Sequence, residues 1–217
     1  MGRITLVCTA HVEVGLCNEN ELVGILQAVG PDVIFEELRS ADFDSFYGDT
    51  SKHTLEMRAI TSFLKSRQVR QVPVDNYEFP EGFGPNIRAL ERFVESRSRE
   101  YCAVMDEMHQ MKFEFGFRYL NSPNFVAHVK KSEHLYEQAV ITYGNDAAHK
   151  LHLTWNEQMR NRDSTMLDNI YAFCRKSDFM EGVFLVGAGH MPAIVVGIEN
   201  RMNEQSSPID WKFWNRL

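Results

Sequence analysis

The chain has 217 residues, 44% hydrophobic and 24% charged, which is the balance of a globular protein rather than a disordered one. Its formal net charge is −7 and no basic run is present, so nucleic acid is excluded as the main partner, because phosphate neutralisation needs clustered Lys and Arg. No apolar run approaches the roughly 18 residues that span a membrane, and Met1-Gly2-Arg3 leads into a strand too short for a secretory leader.

The first third alternates between strand and helix patterns. Ile4–Ala10 reads as a strand buried on both faces, closed by His11. A helix follows over Asn18–Val29, with Leu22, Ile25, Leu26 and Val29 at helical spacing. Asn18 and Glu21 form a capping-box-like pair, and Gly30-Pro31 stops the helix. Asp32–Phe35 is a second strand, ending in Glu36-Glu37-Leu38. A helix over about 54–65 follows, with Leu55, Ile60, Phe63 and Leu64 as its apolar face. Gln71–Val74 is a third strand, ending at Asp75. A β-α-β-α-β order of this kind predicts a parallel sheet with right-handed crossovers.

The middle is a helical insertion over about 80–175, opened by a Gly/Pro-rich break at Pro80–Pro85. One helical stretch covers about 86–115 and a second about 132–175, with Asn121-Ser122-Pro123-Asn124 between them. Met105, Met108 and Met111 form a stripe read as filler between packed helices. The α/β pattern then returns with a fourth strand over Gly182–Val186, the segment Gly187-Ala188-Gly189-His190, and a helix over Met191–Glu199. Trp211-Lys212-Phe213-Trp214 reads as an edge strand or a segment covering the core, and alternatively as a surface for a homodimer. The fold class is therefore α/β. A mainly parallel sheet of four or more strands with flanking helices is expected, within a single domain over 1–217.

Four strand ends carry His11, Glu36-Glu37, Asp75 and His190. In a parallel sheet they face one edge, the edge where open α/β sheets bind ligands. Imidazole with carboxylate is a ligand set for Zn²⁺, Mn²⁺ or Co²⁺, and equally a general base with an orienting acid. Clustered carboxylates repel one another, and a cation or an arginine removes the conflict. Arg162, late in the insertion, is the candidate arginine.

Other patterns carry less. The Gly187-Ala188-Gly189 run fails the dinucleotide fingerprint because position 192 is Pro. His11-Val12-Glu13 lacks the P-C-x-x-C that a zinc deaminase requires. His149 and His152 read as a solvated helix face, and Cys8 as a small core residue. Cys8, Cys17, Cys102 and Cys174 show no C-x-x-C pairing, which fits free thiols in a reducing cytoplasm.

Three segments together resemble the TraB/PrgY family. Cys8-Thr9-Ala10-His11-Val12-Glu13 followed by Pro31–Leu38 is similar to its GTAHVS-like opening and PD-V-V-V-EL strand. Arg162-Asp163-Ser164-Thr165-Met166 is similar to its ERD-x-x-M segment, and Val183–Ile194 to its VVGAGHxPGI segment. The family is grouped with the TIKI proteases, and more distantly with erythromycin-esterase-like and ChaN-like proteins. The resemblance implies an α/β fold and a site of two G-x-x-H motifs, a strand-end glutamate and an arginine. Carried over by position, these fall on His11 and His190, Glu37 and Arg162. Glu36 is a neighbour of Glu37, and Cys8 stands where the family has Gly.

The membrane region of many TraB proteins has no counterpart here, so no membrane association is expected. The expected protein is a cytoplasmic, metal-dependent hydrolase of a peptide or a small ester or amide. Its divalent metal (Mn, Co or Zn) would be held by His11, Glu37, His190 and Asp75, with Glu36 as a candidate base and Arg162 as oxyanion partner. A metal-independent esterase and a non-enzymatic protein binding haem or a signalling peptide are the alternatives.

Overall fold

The computed structural model describes residues 2–203 and 209–215. Its centre is an all-parallel sheet of five strands: β1 (Gly2–Thr9), β2 (Val33–Arg39), β3 (Arg70–Asp75), β4 (Glu181–Gly187) and β5 (Ile209–Phe213). The spatial order is β3-β2-β4-β1-β5. Eight α-helices among the described residues flank it: α1 (Glu19–Val29), α2 (Phe43–Tyr47), α3 (Leu55–Leu64), α4 (Phe83–Arg97), α5 (Arg99–Leu120), α6 (Pro123–Tyr143), α7 (Asp146–Cys174) and α8 (Met191–Asn203). No described helix is long and apolar enough to cross a membrane.

Local chemistry sets most boundaries. Asn18 caps α1 by accepting the Glu21 N–H, and Gly30, at φ 61°, ends it in the left-handed conformation that glycine permits. Thr54 caps α3 through the Met57 N–H. Ser122 caps α6, with Pro123 in its first turn, where no N–H is missed. The first helical stretch was expected to end at about Phe115, and α5 is kinked at Gly116, where the backbone is non-helical at φ 55°; the second was expected from about 132, but α6 already begins at Pro123. Ser98 splits the first helical stretch into α4 and α5.

The core is the buried sheet, with Ile4, Leu6, Val33, Phe35, Val183 and Phe184 at 2% exposure or less. β1 and β4 are buried over nearly their whole length, which explains their unbroken apolar runs. Trp211 of β5 is also in the core and donates from Nε1 to the Tyr171 hydroxyl at 3.0 Å, so the tail pairs as an edge strand and turns this tryptophan inward. The methionine stripe is split. Met108 and Met111 pack on the core, while Met105 is 41% exposed.

The strand order has one consequence for function. β4, made about 170 residues after β1, lies between β1 and β2. Its in-register pairs Thr9↔Gly187 with β1 and Glu36↔Leu185 with β2 bring the ends of all three strands side by side. His190 is thereby delivered between His11 and Glu37.

Candidate active site

Glu37 lies at the middle of the cluster. β2 was expected to stop at Phe35, but it continues to Arg39, so the two glutamates lie inside the strand. Side chains alternate along a strand, and Glu36 and Glu37 therefore face opposite ways. Glu37 Oε1 accepts from Arg162 Nη2 at 2.6 Å and lies 3.2 Å from His190 Nε2. Its other oxygen, Oε2, accepts the Gly187 N–H at 2.7 Å. Burial alone would raise this carboxyl. The His190 hydrogen bond and the charges of His190, His11 and Arg162 outweigh burial and hold it at about 2.

Gly187 explains one glycine of the second motif. A Cβ there would stand 3.0 Å from Glu37 Oε2 and 3.3 Å from His11 Nε2. Any side chain there would press on both groups, so glycine is what lets the end of β4 lie against them without displacing either.

Arg162 bridges two strands. Its Nη2 reaches Glu37 and also Asp75 Oδ2 at 2.5 Å, while Nε donates to the same Asp75 oxygen at 3.1 Å. The guanidinium also stacks 4.8 Å from the Tyr77 ring centre. The Asp75 side chain is fully enclosed. It balances the arginine and turns no oxygen to solvent, contrary to its expected place as a metal ligand.

His190 follows β4 in a single 3-10 turn, Ala188–His190. It is clamped from both nitrogens, with Nδ1 2.6 Å from Asp163 Oδ1 and Nε2 against Glu37. Its side chain is only 11% exposed. Burial pulls its pKa down, but the two carboxylates outweigh burial and raise it to about 9, so the ring is an imidazolium at neutral pH.

His11 is held differently. Its side chain is 57% exposed, and Nδ1 lies 3.0 Å from Glu56 Oε1 on α3. That hydrogen bond raises its pKa against a smaller opposing effect of burial. Cys8, in the position of the family glycine, is buried in β1. The pairing of β5 with β1 runs as far as Leu6, so among the described residues no strand lies along this edge of β1 at Cys8. Asn121 substitutes for one: its Oδ1 accepts the Cys8 N–H at 2.8 Å, and its Nδ2 donates to the Cys8 carbonyl at 2.9 Å.

Glu36 does not join the cluster. It accepts from Tyr47 at 2.5 Å and from Gln71 at 3.0 Å on the far face of β2, and burial pushes its pKa up to about 7. It lines, with His11, Glu37 and Arg162, a second cavity of about 300 Å³, where Tyr47 and Gln71 already engage its two oxygens. His149 and His152 are half-buried rather than solvated. His149 Nε2 meets the Val140 carbonyl at 2.8 Å, and His152 packs on the Tyr136 ring.

Sequence reasoning missed two residues of the cluster. Asp163 was visible only as a neighbour of Arg162 in a motif. Glu56 gave no signal, since an acid in the first turn of a helix is ordinary.

The cluster opens into a cleft of about 870 Å³ under the helical insertion, lined by His11, Glu37, Arg162 and His190 at its floor and by Tyr136 and Trp155 on its walls. Asp75 is bound to Arg162, and both Glu37 oxygens accept N–H donors. Among the described residues, no group of three His, Cys, Asp or Glu is disposed to hold a metal ion. No family model, curated protein or solved structure matches the chain.

Proposed function

We propose that the protein is a metal-independent hydrolase of the erythromycin-esterase-like kind, acting on a peptide or a small ester or amide. The observation that carries this reading is the pairing of unlike histidines around one carboxylate at the floor of the cleft. His190 is held as an imidazolium, while His11 keeps an exposed ring with Nε2 close to Gly187 and Glu37. Carboxylates raise both rings, His190 to about 9 through two partners and His11 chiefly through Glu56, so the ring with one nitrogen open is the one able to exchange a proton.

In this reading a substrate carbonyl lies at the junction of His11, His190 and Arg162. His11 Nε2 takes a proton from water as the water oxygen attacks the carbonyl carbon. The oxyanion that forms is stabilised by the positive charges of His190 and Arg162, already in place before the reaction. His11 then returns its proton to the leaving amine or alcohol as the bond breaks. Glu37 keeps the two cations together and stays ionised.

A panel of amide and ester substrates tests this, assayed with wild type, His11→Ala and a chelator-treated sample. The expected result is turnover that survives chelation and falls about 10²- to 10⁴-fold in His11→Ala, the range for loss of a general base. Turnover unaffected by His11→Ala would sink the reading.

A metal-dependent hydrolase of the TraB/TIKI type is the second reading. It is favoured by the carboxylate behind each imidazole, Glu56 behind His11 and Asp163 behind His190, an arrangement that metal-bound histidines also use. Loading would require His190 to lose its proton, so calorimetry with Mn²⁺, Co²⁺ or Zn²⁺ would show binding coupled to proton release.

A further inference from the structure

Three contacts converge on His11 from the start of α3 and the end of β1. The Leu55 N–H, the first of α3, donates to the His11 carbonyl at 2.9 Å. One residue later, Glu56 meets the His11 ring at Nδ1. Thr9, two residues before His11 on β1, places its hydroxyl 2.8 Å from the same Glu56 oxygen. Both the backbone and the ring of His11 are thus fixed by one helix terminus, and Glu56 is itself fixed by the strand that carries His11. Glu56 is 9% exposed and Thr9 1%, so these contacts lie below the surface although the imidazole itself is half in solvent.

We infer that Glu56 is a positioning residue that sets the tautomer of His11. A carboxylate oxygen 3.0 Å from Nδ1 accepts the N–H of that nitrogen, and so holds the proton of a neutral imidazole on Nδ1. The lone pair is then on Nε2, the nitrogen that stands beside Gly187 and Glu37. Without that acceptor the neutral ring divides between two tautomers, and one of them presents an N–H where a base is needed. The distinction from His190 is chemical. Asp163 and Glu37 engage both of its nitrogens and keep both protons on, whereas Glu56 engages one nitrogen of His11 and leaves the other open.

This inference rests on His11 acting as the base in the proposed hydrolase, but its test does not depend on finding the substrate. The experiment is ¹⁵N NMR of the histidine rings at a pH where His11 is neutral, on wild type and Glu56→Gln. In wild type, Nδ1 of His11 gives the protonated signal and Nε2 the unprotonated one. In Glu56→Gln, whose amide also donates, the two signals shift towards a mixture. A wild-type ring carrying its proton on Nε2 overturns the inference by itself, even if the variant fails to fold. So does a folded variant with an unchanged tautomer. Once a substrate is identified, kcat in Glu56→Gln is expected to fall at least tenfold with KM within twofold of wild type. A correct tautomer without any turnover would refute the hydrolase and leave the positioning role standing.

Discussion

The two histidines close similar strands and end similar motifs, yet the protein treats them as different chemical objects. His190 is 11% exposed, touches a carboxylate through each nitrogen, and carries a charge that the surrounding anions require. His11 is 57% exposed and touches one carboxylate through one nitrogen. The difference comes from what stands opposite each ring, not from the strand that delivers it. Two nearly buried carboxylates, Glu37 and Asp163, sustain His190 as a cation, while Arg162 is balanced by Glu37 and Asp75. None of them hydrogen-bonds to the His11 ring, whose one carboxylate partner is Glu56.

The largest effect that would sharpen this contrast is expected from Arg162→Ala. It leaves Glu37 and Asp75 buried without their shared cation, a loss that typically costs about 3–5 kcal/mol. Chemical denaturation should show that destabilisation, and a loss below about 1 kcal/mol would mean the ions are not coupled as described.

The pH dependence of stability comes next. His190 has a folded pKa raised from 6.5 to about 9, so its contribution is complete below pH 6.5 and lost as pH rises towards 9. The span corresponds to on the order of 3 kcal/mol. Wild type should lose stability between these pH values, and His190→Gln should lose much less over the same range. Parallel curves for the two proteins would break the comparison at its centre.

The smallest effect is expected from His11→Ala, which removes a half-exposed ring from the rim of the cleft. Its unfolding midpoint should stay close to that of wild type at pH 7, with activity lost. A midpoint drop as large as that of His190→Gln would make both histidines structural.

Much of this was legible beforehand. The apolar runs of β1 and β4, the Asn18 and Gly30 boundaries of α1, and the placement of His11, Glu36-Glu37, Asp75 and His190 at one edge follow from periodicity, capping chemistry and the rule for parallel sheets, while the choice of Glu37 and Arg162 followed from the family resemblance. A cation at this edge was expected on charge alone, since clustered carboxylates need one. The partners of Glu36, Tyr47 and Gln71, could not be read beforehand, because they come from segments that only the packing of β2 against its neighbours brings to it. Glu56 was invisible because its role depends on where α3 docks, not on any local pattern.

The sequence by itself determined the parallel α/β class, the helical insertion and the residue types gathered at the strand ends, because these depend on hydrophobic period, turn chemistry and charge, all of which are local. The tertiary structure alone decided that β4 inserts between β1 and β2, that Glu37 rather than Glu36 faces the cleft, and that Glu56 and Asp163 stand behind the two imidazoles. Those facts depend on strand order and helix docking, which are settled by packing between segments far apart in the chain.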